Sequence, residues 1–359
     1  VFAVPGDLAT PTGGYAYDRR IVAELRAAGR SVDVVDLGEG FPRPDAATRT
    51  AALAAVERLP AGTATVIDGL AFGVLPELAA TACRRLPVIA LVHHPLALES
   101  GLDAAAAARL RDSERTALAG ARGVVVTSAA TARLVAADYG VPTGRIAVVP
   151  PGTERGAPPP ASGGLPTDRR GSPVALIAVG AVVPRKGYDV LVAALARLAD
   201  LDWRLTIAGA TDRDPATAAA LARQIVDLGL GDRVVVAGAV PDDRLAALYA
   251  ASDVFVLASR FEGYGMAFSE AVAYGLPVVG TTAGAIPDTV PAGTGLLVPP
   301  DDPTALAAAL RTLITDEATR TRIAAAARAA AAGLPDWTEA ARLFAHSIDR
   351  LTASREAAP

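Results

Sequence analysis

Short runs of consecutive apolar residues alternate along this chain with longer stretches in which apolar positions recur every three to four residues. In the first half the short runs are Val1–Val4, Ser31–Asp36, Ala64–Asp68, Pro87–Val92, Gly123–Thr127 and Arg145–Val149. Helical periodicity fills the gaps, at Tyr15–Ala28, Ala46–Arg58, Leu75–Arg84, Ala104–Ala119 and Ala129–Tyr139. Runs that are apolar at nearly every position predict strands covered on both faces. Their alternation with helices predicts parallel sheet. Between Pro150 and Ser172 the pattern collapses into Pro, Gly, Ser and charge, which predicts a linker over 150–172. The alternation then restarts, with strands expected at Val174–Val179, Trp203–Ala208, Arg233–Ala237, Asp253–Ala258, Pro277–Gly280 and Gly295–Val298. Helices are expected at Tyr188–Leu198, Pro215–Leu228, Asp243–Ala250, Ala267–Tyr274, Thr304–Thr315, Glu317–Ala332 and Thr338–Thr352. The fold class is therefore α/β, as two doubly wound, Rossmann-like parallel-sheet domains facing a cleft. Ligands in such sheets bind beyond the carboxyl ends of the strands.

Composition narrows the function classes. The 359 residues are 52% hydrophobic with a net charge of −4, which supplies a large core and argues against a nucleic-acid partner. The single cysteine, Cys83, leaves no internal disulfide framework. No apolar run of about 18 residues is long enough for a transmembrane helix. The opening residues read as a strand without a charged leader region, so no signal peptide is expected and a cytoplasmic location is. Among 34 lysines and arginines there is one lysine, Lys186. Where arginine is the default cation, a lone lysine marks a site that wants a compact ammonium.

The most informative segment runs from Ser259 to Glu270. It follows a strand and opens a helix, with Gly263 and Gly265 letting backbone approach a ligand. The free N–H groups of a helix start favour an anion, ideally phosphate. Glu262 precedes the glycines and Glu270 lies about one turn into the helix, so both carboxylates can accept bonds from sugar hydroxyls. The alternative reading is a glycine-capped helix with two solvated glutamates. A second strand-to-helix junction, Val179–Tyr188, carries Arg185 and Lys186. Two cations at a helix start oppose its dipole, and a diphosphate would compensate them; otherwise the turn is merely solvated. His93 and His94 end the strand Pro87–Val92, where a histidine can bond a substrate hydroxyl or simply serve structure. No metal ligand pattern is within sequence reach of them. Thr10–Tyr15 holds Gly13 and Gly14, a phosphate-approach loop or a plain tight turn. Asp68 and Glu99 also lie just past strand ends, in reach of an acceptor hydroxyl or as turn formers.

Jointly these residues resemble a family-4 retaining glycosyltransferase of the GT-B fold. The family's Glu-x7-Glu element matches Glu262–Glu270. Its other features match Pro184–Gly187, Val149–Glu154, Tyr274–Val279, Gly284–Asp288 and Gly295–Pro300. The resemblance implies an acceptor-binding domain over 1–160 and a nucleotide-sugar-binding domain over 172–335, with the helix in 336–359 packing back onto the first. It implies that Glu270 holds the donor ribose and that Glu262 contacts the donor sugar. Backbone of Gly263, Tyr264, Gly265, Met266 and Ala267 would grip the diphosphate, with Arg185 nearby and Lys186 neutralising charge. Gly13 and Gly14 would approach the diphosphate as well. His94, ahead of His93, would touch the transferring sugar, making His94, Lys186 and Glu262 the catalytic set. Asp68, His93 and Glu99 are the acceptor-binding candidates. The implied partners are a nucleoside diphosphate sugar and an acceptor that is a small molecule, a glycan or lipid-linked, with no metal and no further cofactor. One departure stands out: Ala181 occupies a position where family members often carry an arginine paired with the lysine, and Arg185 points elsewhere if a helix begins there. The rival readings are a nucleotide-sugar epimerase of similar shape and a nucleotide- or sugar-binding relative without turnover.

Overall fold

The structure is a computed structural model that describes residues 1–10, 12–99, 101–154 and 172–353. Most of the expected linker, 155–171, lies outside the described residues. Two compact units emerge: Val1–Gly152 together with Pro335–Pro359, and Thr153–Leu334.

The first unit runs β1 (Phe2–Val4), α1 (Gly13–Ala27), β2 (Val34–Asp36), α2 (Ala46–Glu57), β3 (Thr65–Asp68), α3 (Gly69–Phe72), α4 (Glu77–Ala80), α5 (Ala82–Arg85), β4 (Val88–Val92), α6 (Ala104–Gly120), β5 (Gly123–Val126), α7 (Ala129–Tyr139) and β6 (Ile146–Val148). Its six strands are ordered β2-β1-β3-β4-β5-β6, all parallel. The central strands are buried at every residue, as continuous apolar runs require.

The second unit runs β7 (Val174–Val179), α8 (Tyr188–Ala196), β8 (Trp203–Ala208), α9 (Pro215–Asp227), β9 (Val234–Gly238), α10 (Asp242–Ala250), β10 (Val254–Val256), α11 (Met266–Ala273), β11 (Val278–Thr281), α12 (Ile286–Thr289), β12 (Gly295–Val298), α13 (Pro303–Thr315) and α14 (Glu317–Ala331). Its sheet is again parallel, ordered β12-β11-β10-β7-β8-β9. Each sheet has its own apolar core, one around Ile67, Phe72 and Val88, the other around Trp203, Phe255 and Phe268. Aspartates 45, 103, 214, 302 and 316 cap helix starts by accepting first-turn N–H bonds.

The last helix, α15 (Trp337–Ala353), belongs to the first unit and packs on α1 and β5. Trp337, Ala340, Ala341, Phe344 and Leu351 form one buried face at helical spacing. The Phe344 ring lies 6.1 Å from that of Phe2, and Trp337 lies 6.0 Å from Tyr17. Arg30 holds Asp349 through two bonds, of 2.6 and 2.9 Å.

Two expectations change. The helix expected over Leu75–Arg84 forms as two one-turn helices, α4 and α5, that meet at Thr81 (φ −107°, ψ −79°), with no side-chain cap on either start. The first helix starts at Gly13, not at Tyr15, because the Thr12 hydroxyl caps it by accepting from Tyr15 N at 3.2 Å. Gly13 and Gly14 are therefore first-turn helical residues.

Candidate active site

In the second unit, β7 ends at Val179 and the chain turns back at Gly180. Its φ of +146° suits glycine, and a Cβ there would sit 2.9 Å from Lys186 Cε. The chain then makes a 3-10 turn over Pro184–Lys186 before α8 begins at Tyr188. Arg185 and Lys186 thus end a short turn just ahead of α8, which begins at Tyr188 as expected, and the anion that compensates them in the fold is Glu262. The turn also sends both side chains to one place. Lys186 Nζ donates to Glu262 Oε1 at 2.7 Å, and Arg185 Nη1 donates to Glu262 Oε2 at 3.1 Å. Arg185 Nη1 also reaches the Phe261 carbonyl at 2.9 Å. The sequence left open whether Arg185 stands in for the arginine absent at Ala181; in the fold Arg185 is the second cation that joins the lysine on Glu262.

Glu262 is buried, with 5% of its surface exposed, and is not a solvated loop residue. Ser259 Oγ donates to its Oε1 at 2.6 Å, and Gly284 closes over its backbone, with Ala285 N donating to its carbonyl at 2.9 Å. Burial alone would raise its pKa; the Lys186 ammonium and Arg185 guanidinium outweigh burial and hold it down at about 2. With Glu262 ionised, the cluster keeps one positive charge in excess. Arg260 braces the turn from outside, pairing with Asp189 and Asp301 at 2.7 Å each, while its N–H donates to the Arg185 carbonyl at 2.8 Å.

The start of α11 lies beside this cluster. Gly265, at φ +93°, precedes the helix, no side chain caps it, and a Cβ on Gly265 would lie 3.6 Å from Glu262 Cβ. The backbone of Tyr264 is anchored by Thr289, whose hydroxyl donates to its carbonyl at 2.6 Å. Glu270 sits on this helix and accepts from Tyr249 Oη at 2.9 Å. Burial raises its pKa, against the Tyr249 bond, and both Glu154 and Lys186 lie within electrostatic reach. Lys186, Glu262, Glu270 and the glycine turn are therefore gathered at one strand–loop–helix junction.

In the first unit the expected residues separate into two clusters. His93, just past β4, offers one nitrogen to two buried carboxylates. Its Nε2 is 3.0 Å from Asp18 Oδ1 and 3.3 Å from Asp68 Oδ2. Gly14 packs against the ring, since a Cβ there would lie 3.1 Å from His93 Cδ2, and Tyr17 meets the ring edge-on at 5.3 Å. Burial pulls His93 down, but the two carboxylates carry it up to about 10; burial raises Asp18 to about 7, against the pull of His93. These three groups place ligand atoms within 4.8 Å of one another, close enough for a metal ion. The shared nitrogen and the short N···O distance make an ion triad in which the imidazolium occupies the cation's place. The second cluster pairs His94 Nε2 with Glu99 Oε2 at 3.1 Å. The three acceptor candidates thus divide, with Asp68 and His93 in the triad and Glu99 with His94.

Sequence reading missed Asp18, Tyr249 and Ser259. Asp18 had a signal: it lies in register with Ile21, Val22 and Leu25 on the buried stripe of α1, where a carboxylate needs a partner.

A doubly wound sheet with an uncapped helix start beside excess positive charge places the chain among α/β proteins with an arrangement suited to an anion. Comparison with known proteins narrows this. The model of Glycosyltransferase Family 4 matches residues 13–155, and that of Glycosyl transferases group 1 matches residues 167–330. Each half of the chain thus matches a glycosyltransferase family model, and the chain belongs with the glycosyltransferases. It is 37% identical over 233 residues to the D-inositol 3-phosphate glycosyltransferase of Xylanimonas cellulosilytica, an alignment covering 61% of this chain and 54% of the relative. The chain spans about half the length of the curated relatives it matches. A sucrose-phosphate synthase from Thermosynechococcus elongatus superposes with a TM-score of 0.81 at 23% identity, covering 98% of this chain and 99% of that one. Anabaena HepE, solved in complex with UDP and glucose, gives 0.73 at 20% identity, over 97% and 99%. These likenesses establish the GT-B fold. Among the described residues, no helix is long and apolar enough to cross a membrane.

Proposed function

We propose that this protein transfers a sugar from a nucleoside diphosphate sugar to an acceptor hydroxyl with retention of anomeric configuration. The observation that carries this reading is the Lys186–Glu262–Arg185 cluster, which keeps a net positive charge beside the uncapped start of α11. Departure of a nucleoside diphosphate builds negative charge on its phosphates, and groups already fixed in place stabilise it without reorganising. Glu262 holds the lysine in position; its Oε1 already accepts from Lys186 and Ser259, so the capacity to accept from a sugar hydroxyl lies on Oε2. Glu270, held at one oxygen by Tyr249, is assigned the ribose. The backbone from Gly263 to Ala267 takes the diphosphate. His94 is assigned the transferring sugar, and Gly13 and Gly14 the diphosphate. The chemistry is read as metal-independent, because Lys186, Arg185 and main-chain N–H groups supply the charge stabilisation. HepE having been solved with UDP and glucose supports a nucleotide-sugar donor.

Release of free nucleoside diphosphate from a panel of UDP-, GDP- and ADP-sugars tests the reading, with NMR of the product reporting its anomer. Lys186→Ala is expected to cut turnover roughly 10²- to 10³-fold, the effect of removing one preorganised charge-stabilising donor. Unchanged turnover in that variant removes the leaving-group assignment. An isomerised sugar in place of a glycoside would identify an epimerase.

A further inference from the structure

We propose that the first unit carries an acceptor pocket for a small molecule with an apolar ring body and a hydroxyl, and not for a phosphorylated cyclitol. This rests on the glycosyl-transfer reading and names its acceptor class. The pocket has a volume of about 320 Å³, within the range of small-molecule sites. It lies wholly within the first unit, among the β2–α2 loop, α3, the segment after β4 and α6.

Six of its ten lining residues are apolar, Leu70, Leu96 and Leu110 among them. Two of these walls are pinned by buried carboxylates. Asp68 Oδ1 accepts from Leu70 N at 2.7 Å while its Oδ2 faces His93, and Glu114 Oε2 accepts from Leu96 N at 3.0 Å. An apolar wall fixed in this way is preformed, so a ring body fills it without ordering it first. The polar lining is Arg43, His94 and Glu99. The His94–Glu99 pair, 3.1 Å apart, brings a carboxylate to the pocket that can accept from one hydroxyl. It is poorly suited to a phosphate: Arg43 is the single permanent cation of the lining, and the Glu99 carboxylate repels a dianion. A cyclitol would also set several hydroxyls against leucine, where they find no partner.

The test is a fluorescence titration of the full chain with 4-methylumbelliferone, which has a two-ring body and one hydroxyl. Competition by inositol 3-phosphate and thermal stabilisation by UDP, GDP and ADP are measured in parallel. Saturable micromolar binding is expected, unaffected by inositol 3-phosphate. Leu110→Trp, which fills the pocket, is expected to weaken it about tenfold or more, with UDP stabilisation unchanged. Leu102→Trp, on the segment before α6, repeats the test if melting curves show that Leu110→Trp does not fold. Absent binding, binding equal in wild type and the tryptophan variants, or displacement by inositol 3-phosphate overturns the proposal. UDP stabilisation that persists alongside such a failure leaves the transfer reading standing. Stabilisation by none of UDP, GDP and ADP, alongside Trp-sensitive dye binding, sinks that reading and with it the acceptor role, while the pocket's ligand class stands.

Discussion

The two units enclose charge in opposite senses. In the second, one carboxylate, Glu262, lies between two cations; in the first, one imidazole, His93, lies between two carboxylates. In each case the positive member is the one nearest water. Lys186 and Arg185 side chains are 14% and 16% exposed against 6% for Glu262, while His93 is 19% exposed against 0% and 2% for Asp18 and Asp68. The sign of the excess differs, and so does the consequence. Surplus positive charge beside a helix start invites an anion and keeps its carboxylate ionised. Surplus negative charge in a sealed place raises proton affinity, and one oxygen there, Asp18 Oδ2, has no hydrogen-bond partner. One cluster carries surplus positive charge, the other surplus negative charge around a fixed ring.

The largest way to break this comparison is to delete the minority charge of the second unit. Glu262→Ala strands a lysine and an arginine that are mostly buried, and is expected to cost about 3 kcal/mol of stability, toward the lower end for a broken buried pair because both cations keep some solvent. Urea unfolding measures it. A midpoint equal to wild type would show that the cations move freely into water and that the cluster is not preorganised. Glu262→Gln, which keeps the shape and the Ser259 bond, is expected to fall between the two.

The next effect is the pH dependence of the triad. His93 titrates at about 10 folded against 6.5 for a free imidazole, and Asp18 at about 7 against 3.8. Both bind protons more tightly in the folded state, so both make stability fall as pH rises. The His93 contribution is whole below pH 6.5 and is lost as pH climbs through about 10. Stability is expected to fall across that window in wild type, by at most about 5 kcal/mol, the whole difference between 6.5 and about 10. His93→Gln, measured by urea unfolding at each pH, should show a flatter profile. Equal slopes in the two proteins would mean that the ring is not charged in the fold.

How far this arrangement was legible in the sequence depends on where each partner lies. Both sheets could be read because strands such as Val88–Val92 and Val174–Val179 are apolar at successive positions, a signal local to five or six residues. The glycine turn and Glu262 could be read because a helix start advertises itself nearby. The pairing of Glu262 with Lys186 could not, since 76 residues separate them; sequence reasoning assigned a diphosphate the task that a buried glutamate already performs. The direction of Arg185 stayed open for a local reason. The helix starts at Tyr188 as expected, but a 3-10 turn just ahead of it, which has no strong sequence signal, brings neighbouring side chains onto the two oxygens of one carboxylate. Asp18 lies 75 residues from His93, so only its place on a buried stripe betrayed it.

The smallest effect sharpens the comparison most. Asp18→Asn removes a charge that the first unit holds in excess, whereas Glu262→Ala removes the charge that the second unit lacks. The amide keeps nearly the same volume and offers its oxygen to His93 Nε2, 3.0 Å away, while its nitrogen replaces the unpartnered Oδ2. The cost of losing one ion pair is offset by removing a buried charge whose burial raises its own pKa. The net change at pH 7 is therefore expected to stay within about 1 kcal/mol of zero, a fraction of the Glu262→Ala loss. The His93 pKa should fall toward the ordinary imidazole range with a single carboxylate, Asp68, left beside it, and NMR titration of the ring protons follows it directly. A loss of stability as large as that of Glu262→Ala would place the two clusters in one class. An unmoved His93 titration would show that Asp68 alone governs the ring.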